Sequence, residues 1–249
     1  MIAIENINKS FGDKHVLNNL SANFSAGKIN LIIGKSGSGK TMAIKCMLGL
    51  HPIDSGSIIF NGRDFVNISD SQRKNIRKEI GMVFQGSALF DSMNIEENVM
   101  FPLKMTKSMN ISDMKKRVDF CLNRVDLKNV HRLFPSELSG GMQKRVAIAR
   151  AIVLNPKYLF CDEPNSGLDP VTSKVIDDLL KEITYEYGIT TVINTHDMNS
   201  VIEIGDSIVF IQDGKKEWEG DKTSITNSKN KYLNEFISPS KSLISLSQK

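Results

Sequence analysis

The chain has 249 residues, of which 40% are hydrophobic and 24% charged, with a formal net charge of +4. That length can bury one large core, or a domain carrying an inserted subdomain. The balance is that of a soluble globular protein, and so small a positive excess gives no reason to expect a nucleic-acid partner.

Residues 1–20 alternate apolar and polar around a turn at Phe11-Gly12-Asp13-Lys14, which predicts a β-hairpin. Ile29 to Ile33 is a short apolar run, predicting a buried strand, and an apolar-patterned helix follows over about Lys40 to Leu50. Ser57 to Phe60 with the turn Asn61-Gly62, and Ile80 to Phe84, read as further strands. From about 88 to 138 Met becomes frequent, Lys and Arg cluster and β-branched runs disappear, which predicts a helical subdomain. Tyr158 to Cys161 and Ile189 to Asn194 are buried strands, and Ile208 to Ile211 with Asp213-Gly214 is a late hairpin. Strands alternating with helices indicate an α/β core with a parallel sheet. No internal repeat is visible.

The tail after Asp221 is rich in Ser, Lys and Asn, and within it Tyr232, Leu233, Phe236 and Ile237 share one helical face before Pro239. Such a helix docks on its own domain or touches a partner subunit, and both readings stay open. Cys46, Cys121 and Cys161 are odd in number and far apart. They form neither a disulfide framework nor a metal-ligand spacing, so a reducing cytosol is expected. The start lacks a basic segment followed by an apolar run, so no signal peptide is expected. No apolar stretch approaches the roughly 20 residues that span a bilayer, so any work on a membrane is expected to run through a partner.

Gly34-Lys35-Ser36-Gly37-Ser38-Gly39-Lys40-Thr41 matches G-x-x-x-x-G-K-[ST] between a predicted strand and a predicted helix. A nucleotide's phosphates need many positive-ended dipoles close together. Glycines let backbone N–H groups turn inward without a Cβ in the way, and the helix offers its positive end. Lys40 is then placed for the β- and γ-phosphates and the Thr41 hydroxyl for Mg²⁺, which makes ATP the expected ligand. Leu159-Phe160-Cys161-Asp162-Glu163-Pro164 is an apolar strand ending in two acids. Asp162 suits a metal site, and Glu163, expected to point elsewhere by strand alternation, suits polarising a water.

Leu138-Ser139-Gly140-Gly141-Met142-Gln143 resembles the signature of ABC ATPases, normally Leu-Ser-Gly-Gly-Gln. The motif order resembles that family too: phosphate loop, Gln85 after a strand, signature, Asp162-Glu163, then Ser166-Gly167-Leu168-Asp169 like its D-loop and Thr195-His196-Asp197 like its switch histidine. The resemblance runs over about 1–220, with 221–249 as the tail. It implies a P-loop NTPase core with a parallel sheet, an N-terminal antiparallel β-subdomain and an inserted helical subdomain. It also implies a homodimer in which Ser139, Gly140 and Gly141 of one protomer close over the ATP of the other. Phe11 stands in the place of the adenine-stacking tyrosine and keeps its π-face. By the same resemblance Gln85 senses metal and γ-phosphate, Glu163 orients water, His196 holds the γ-phosphate, and Asp169 belongs to the D-loop. Met142 and Asn165 depart from the commoner residues. His15, His51 and His131 lack a motif and are expected to be structural.

Gly81 to Val99, together with Gly140 to Arg145, resembles the ATPase of Mla-type, Mce-associated phospholipid transporters. That resemblance implies an integral-membrane permease, an Mce-domain lipid-binding partner, and a place on the cytoplasmic face of a bacterial inner membrane. Ala88, Leu89, Phe90, Met93, Val99, Met100, Phe101 and Leu103 would then supply a permease-facing surface, or belong to the subdomain's own core. The alternatives are the ATPase of an amino-acid or other small-solute importer, and a non-transport ABC protein.

Overall fold

The apolar run at Ile29–Ile33 is a strand buried along its whole length in the computed structural model, which describes residues 1–106 and 109–240. By its internal contacts the chain divides into two units, Met1–Arg77 with Ile183–Lys249, and Lys78–Glu182. The first unit opens with β1 (Ile2–Phe11), β2 (Lys14–Phe24), β3 (Ile29–Ile33), α1 (Lys40–Met47), β4 (Ser55–Phe60), β5 (Arg63–Asp64) and α2 (Asp70–Lys78). In the second lie β6 (Ile80–Val83), α3 (Ile95–Thr106), α4 (Ile111–Arg124), α5 (Gly140–Ile152), β7 (Tyr158–Asp162) and most of α6 (Pro170–Tyr187). The chain returns to the first with β8 (Thr190–Thr195), α7 (Met198–Ile204), β9 (Ser207–Gln212), β10 (Lys215–Gly220) and α8 (Lys231–Ile237).

In the first unit, β1 and β2 form the predicted hairpin, with Phe11 opposite Lys14 and Ile2 opposite Phe24, and the antiparallel sheet runs β2-β1-β4-β5. Its register shifts between Ile4 and Ile7, where Asn6 takes a left-handed backbone, a conformation asparagine tolerates. The core strands run β10-β9-β3-β8, with β3 parallel to both β8 and β9. Parallel strands buried on both faces read as continuous apolar runs, which is why Ile29–Ile33 was legible. The polar member of that run, Asn30, is buried and satisfied: its amide donates to the Ser25, Lys28 and Thr191 carbonyls, and its Oδ1 accepts the Ser25 N–H. Helix α8 docks on this unit, with Leu233 and Ile237 buried and the Phe236 ring 5.4 Å from that of Phe210. Tyr232 stays exposed, and residues 241–249 of the tail lie outside the described residues.

In the second unit β6 pairs in parallel with β7, Ile80 opposite Tyr158 and Val83 opposite Cys161. Helices α3, α4 and α5 pack on one another. Val99, Met100 and Leu103 are buried in this unit's own core, so they do not form a partner surface. Ile95, Val99 and Leu103 succeed one another at i, i+4, and Met100 stands three residues before Leu103, so that face of α3 turns inward. Phe90 remains 40% exposed, its ring 4.8 Å from that of Phe101. Helix α2 was not anticipated, because only Ile76 of its nine residues is buried and no apolar stripe marks it.

Helix α5 lies directly on β6 at Gly81, where a Cβ would meet the Ala151 carbonyl oxygen at 2.4 Å. Both atoms at that crossing are backbone and cannot step aside. Gly81→Ala is expected to lower the urea midpoint by the equivalent of about 1–3 kcal/mol, as overpacking does. An unchanged midpoint would show that α5 is not seated there.

Candidate functional site

The predicted site residues fall into both units. In the first, the phosphate loop leaves β3 at Gly34 and enters α1 at Lys40. Gly34, Gly37 and Gly39 all have positive φ. At Gly34 a Cβ would lie 2.3 Å from the Ile211 carbonyl oxygen, and at Gly39 it would lie 2.9 Å from that of Val16. Glycine is therefore required at both by backbone pressing from behind. The loop is tied there too: Gly214 N–H donates to the Ser38 carbonyl and Asn18 N–H to that of Gly214. Lys40 is buried at 5% exposure, and its ammonium donates to the Gly34 and Lys35 carbonyls at 2.9 and 3.0 Å.

Two observations fit this loop to a polyanion. The Ser38 hydroxyl is buried with no partner, and α1 begins on Gly39 with no side chain capping its first N–H groups. The Thr41 hydroxyl accepts a hydrogen bond from the Asn194 amide at 3.1 Å, so the end of β8 orients the residue expected to meet the metal. Lys35 reaches outward to Glu235 of α8 at 2.9 Å, and Ser36 is exposed. His196 is exposed just past β8, before the Asp197 cap of α7. Phe11 is 46% exposed, edge-on to His51 with centroids 5.7 Å apart and 5.2 Å from the Lys9 ammonium. His51 thus supports the ring read as the adenine platform.

In the second unit β7 ends at Asp162, which is buried. Glu163 is not the next residue of a strand: its φ is 46°, a left-handed turn. Its departure from Asp162 comes from that turn and not from strand alternation. Such a conformation costs a non-glycine residue about 1–3 kcal/mol and gathers at functional sites. The Gln85 amide nitrogen donates to the Glu163 carboxylate at 3.2 Å and to the Ser166 hydroxyl at 3.3 Å. Asn165 hydrogen-bonds Asp177 of α6 at 2.8 Å, which gives its departure from the commoner residue a structural use. Beneath lies Lys144 of α5, 5% exposed, donating to the Gln85 carbonyl. Burial lowers its pKa, opposed by the negative charges of Asp162 and Glu163 nearby.

The signature occupies a second place in this unit. Ser139 caps α5, its hydroxyl accepting from Met142 N–H at 3.3 Å. Gly140 and Gly141 open the helix, and a Cβ on Gly141 would meet the Thr172 methyl at 2.6 Å. Asp169 caps α6, accepting from the Val171 and Thr172 N–H groups and from the Thr172 hydroxyl, contacts that hold its carboxyl below the usual carboxylate range. Ser139, Gly140, Gly141, Leu168, Asp169 and Thr172 line one cleft of about 510 Å³. Signature and D-loop residues are thus brought together within one unit. Gln143 anchors the approach to α5 through the Pro135 and Leu138 carbonyls, and Met142 takes part by its backbone.

A model of the ABC transporter family matches residues 17–166, more than half of the chain. The chain belongs to the ABC transporter family. It is an ABC ATPase cassette, 41% identical over 216 residues to the methionine import ATP-binding protein MetN of Clostridium tetani, covering 87% of this chain and 67% of that one. It is 36% identical over 241 residues to the sulfate/thiosulfate import ATP-binding protein CysA of Neisseria meningitidis, covering 95% and 66%. The chain spans about two thirds of the length of these curated relatives. Among solved structures it resembles the dimeric ATP-binding cassette MJ0796, bound to ADP and Pi in a post-hydrolysis state. There the identity is 33% and the TM-score 0.81, over 89% of this chain and 98% of the other.

Three residues of the cassette's site went unnoticed in the sequence. Lys144 sits on the buried face of α5 with Ala147, Ile148 and Ala151, and Asn194 interrupts an apolar strand. A polar residue on an apolar stripe was the available signal in both cases. Ser166 lay inside the D-loop motif without a role.

The cysteines do not take part. Burial pushes the Cys46 and Cys121 thiols up to about 11 and the Cys161 thiol higher still. Since only the thiolate reacts, native protein at pH 8 is expected to be inert to Ellman's reagent and to titrate all three thiols in guanidinium chloride. Rapid labelling of the folded chain would contradict this burial.

Proposed function

We propose that this chain is the ATP-hydrolysing subunit of an importer for a small solute, working as a homodimer with an integral-membrane permease at the cytoplasmic face of a bacterial inner membrane. The observation that carries the hydrolytic part is the carboxylate of Glu163, turned off the end of β7 and met by the Gln85 amide. The importer part rests on the relatives named for methionine and for sulfate/thiosulfate import. Among the described residues no helix is long and apolar enough to cross a membrane.

In this reading the loop from Gly34 to Thr41 binds the phosphates, Lys40 neutralises them, and Phe11 receives the adenine ring. Thr41, Asp162 and Gln85 are the residues we assign to Mg²⁺, whose chemistry is to neutralise phosphate charge. Glu163 accepts a proton from the attacking water as the water oxygen bonds to the γ-phosphorus and the bond from that phosphorus to the β,γ-bridging oxygen breaks, releasing ADP; Gln85 positions that carboxylate, and His196 stabilises the γ-phosphoryl oxygens. Ser139, Gly140, Gly141 and Asp169 act across the dimer. Support for this last assignment is the exposed cleft they share and the dimeric form of MJ0796.

The local resemblance of Gly81 to Val99 and Gly140 to Arg145 favours a second reading, phospholipid transport with an Mce-domain partner. The named relatives support the small-solute reading better. Purification of the chain from its native membranes separates the two. Recovery of a permease with a solute-binding protein supports the first, and recovery of an Mce-domain protein replaces it with the second.

The hydrolytic roles make two predictions. Glu163→Gln is expected to keep ATP binding, accumulate an ATP-stabilised dimer and lose roughly 10²- to 10⁴-fold in kcat, the usual contribution of a positioned base. Turnover equal to wild type would remove Glu163 from the mechanism. For Lys40→Ala, calorimetry is expected to show lost ATP affinity, and unchanged binding would remove Lys40 from the phosphate site.

A further inference from the structure

The backbone beyond Gln85 is strained. Ser87 and Ala88, neither of them glycine, take successive left-handed conformations with φ of 62° and 48°. Their local hydrogen bonds, Ser87 N–H to the Phe84 carbonyl and Ala88 N–H to that of Gly86, do not engage the turn's outward carbonyls. Those carbonyls are taken by one helix. Arg150 of α5 donates to the Ser87 carbonyl at 2.7 Å and to the Ala88 carbonyl at 2.8 Å. Lys144, on the same helix, donates to the Gln85 carbonyl. One cation on either side of the turn therefore binds it along its length, and both come from the helix that begins with Ser139-Gly140-Gly141. Arg150 is half-buried, with its guanidinium 5.9 Å from the centre of the Phe90 ring, so its planar fork is fixed on that side as well.

We infer that Lys144 and Arg150 are positioning residues for hydrolysis, which hold the loop at 85–88 in its strained form and thereby aim the Gln85 amide at Glu163. This rests on the ATPase reading given above. Neither residue touches the reacting atoms. They act through Gln85, and they fasten its loop to the signature helix so that a shift of α5 is felt at the Glu163 carboxylate.

The test is a double-mutant cycle on the full chain. Arg150→Ala is expected to lower kcat by roughly 10- to 100-fold, the scale of a misplaced catalytic group, with the KM for ATP little changed. In a Gln85→Ala background the same substitution is expected to change kcat by no more than about twofold, because the residue it acts through is already gone. The same factor lost in both backgrounds would mean a merely structural role and overturn the inference. Lys144→Met runs through the same cycle and gives the answer if Arg150→Ala does not fold.

Hydrogen exchange supplies a readout independent of turnover. The amides of Ser87 and Ala88 are expected to exchange on the order of tenfold faster in Arg150→Lys, where the fork is lost, while those of β7 keep their rates. Unchanged exchange at both amides overturns the inference. A wild-type chain that releases no phosphate from ATP would defeat the ATPase reading instead, and exchange would still decide whether Arg150 holds the loop.

Discussion

Backbone pressing on backbone behind the phosphate loop is the constraint on which the rest depends. The carbonyls of Ile211 and Val16 stand where side chains on Gly34 and Gly39 would be, so neither position can carry a Cβ. At both positions the chain turns through positive φ, which glycine alone adopts without strain. The parallel pairing of β3 with β8 and β9 makes this possible: β8 ends level with β3, Thr195 opposite Ile33, and β9 runs on two residues past Phe210, the partner of Ile33. The β9–β10 turn then reaches the loop at Ser38 and the end of β8 reaches Thr41 through Asn194. A buried ammonium, Lys40, is tolerable because two carbonyls of the loop receive it. The buried Lys40 ammonium, the unpartnered Ser38 hydroxyl and the uncapped start of α1 are thus fixed by the fold itself.

In the second unit the residues assigned to hydrolysis lie on or beside strained backbone. Ser87, Ala88 and Glu163 all occupy left-handed conformations, and each belongs to the segment that presents or holds a carboxylate. Strain of this kind persists only where the surroundings over-determine it. Here the surroundings are α5, seated without clearance on Gly81 and donating two cations to the loop carbonyls. The same helix opens the signature cleft, so it joins the loop of Gln85 to the cleft at Ser139-Gly140-Gly141.

Much of this was legible in the sequence, for physical reasons that differ from part to part. Ile29–Ile33 and Tyr158–Cys161 announced themselves as buried strands because parallel core strands are apolar throughout. The glycine loop and the signature were legible because their chemistry tolerates few residue types. Helix α2 was hidden by its polar composition, and Val99, Met100 and Leu103 read equally as core or as surface until α3 was seen against α5. The turn at Glu163 was hidden because an acidic residue carries no mark of a positive φ. Lys144 and Arg150 were given no role, since a side chain bonded to distant carbonyls leaves no spacing to detect; only the place of Lys144 on an apolar stripe marked it. The transported substance was the least legible of all. Local likeness pointed to phospholipid transporters, while the relatives are named for methionine import and for sulfate/thiosulfate import. The residues that hydrolyse ATP need not touch the cargo, so their pattern constrains it weakly.

The most direct measurement is phosphate release from ATP by the purified wild-type chain, followed as protein concentration is raised. If each site is completed by the signature cleft of a second protomer, the rate per chain rises with concentration and then levels off as dimers saturate. No release of phosphate, or a rate per chain that stays constant down to the most dilute protein, would contradict an ATPase whose sites are shared between two copies.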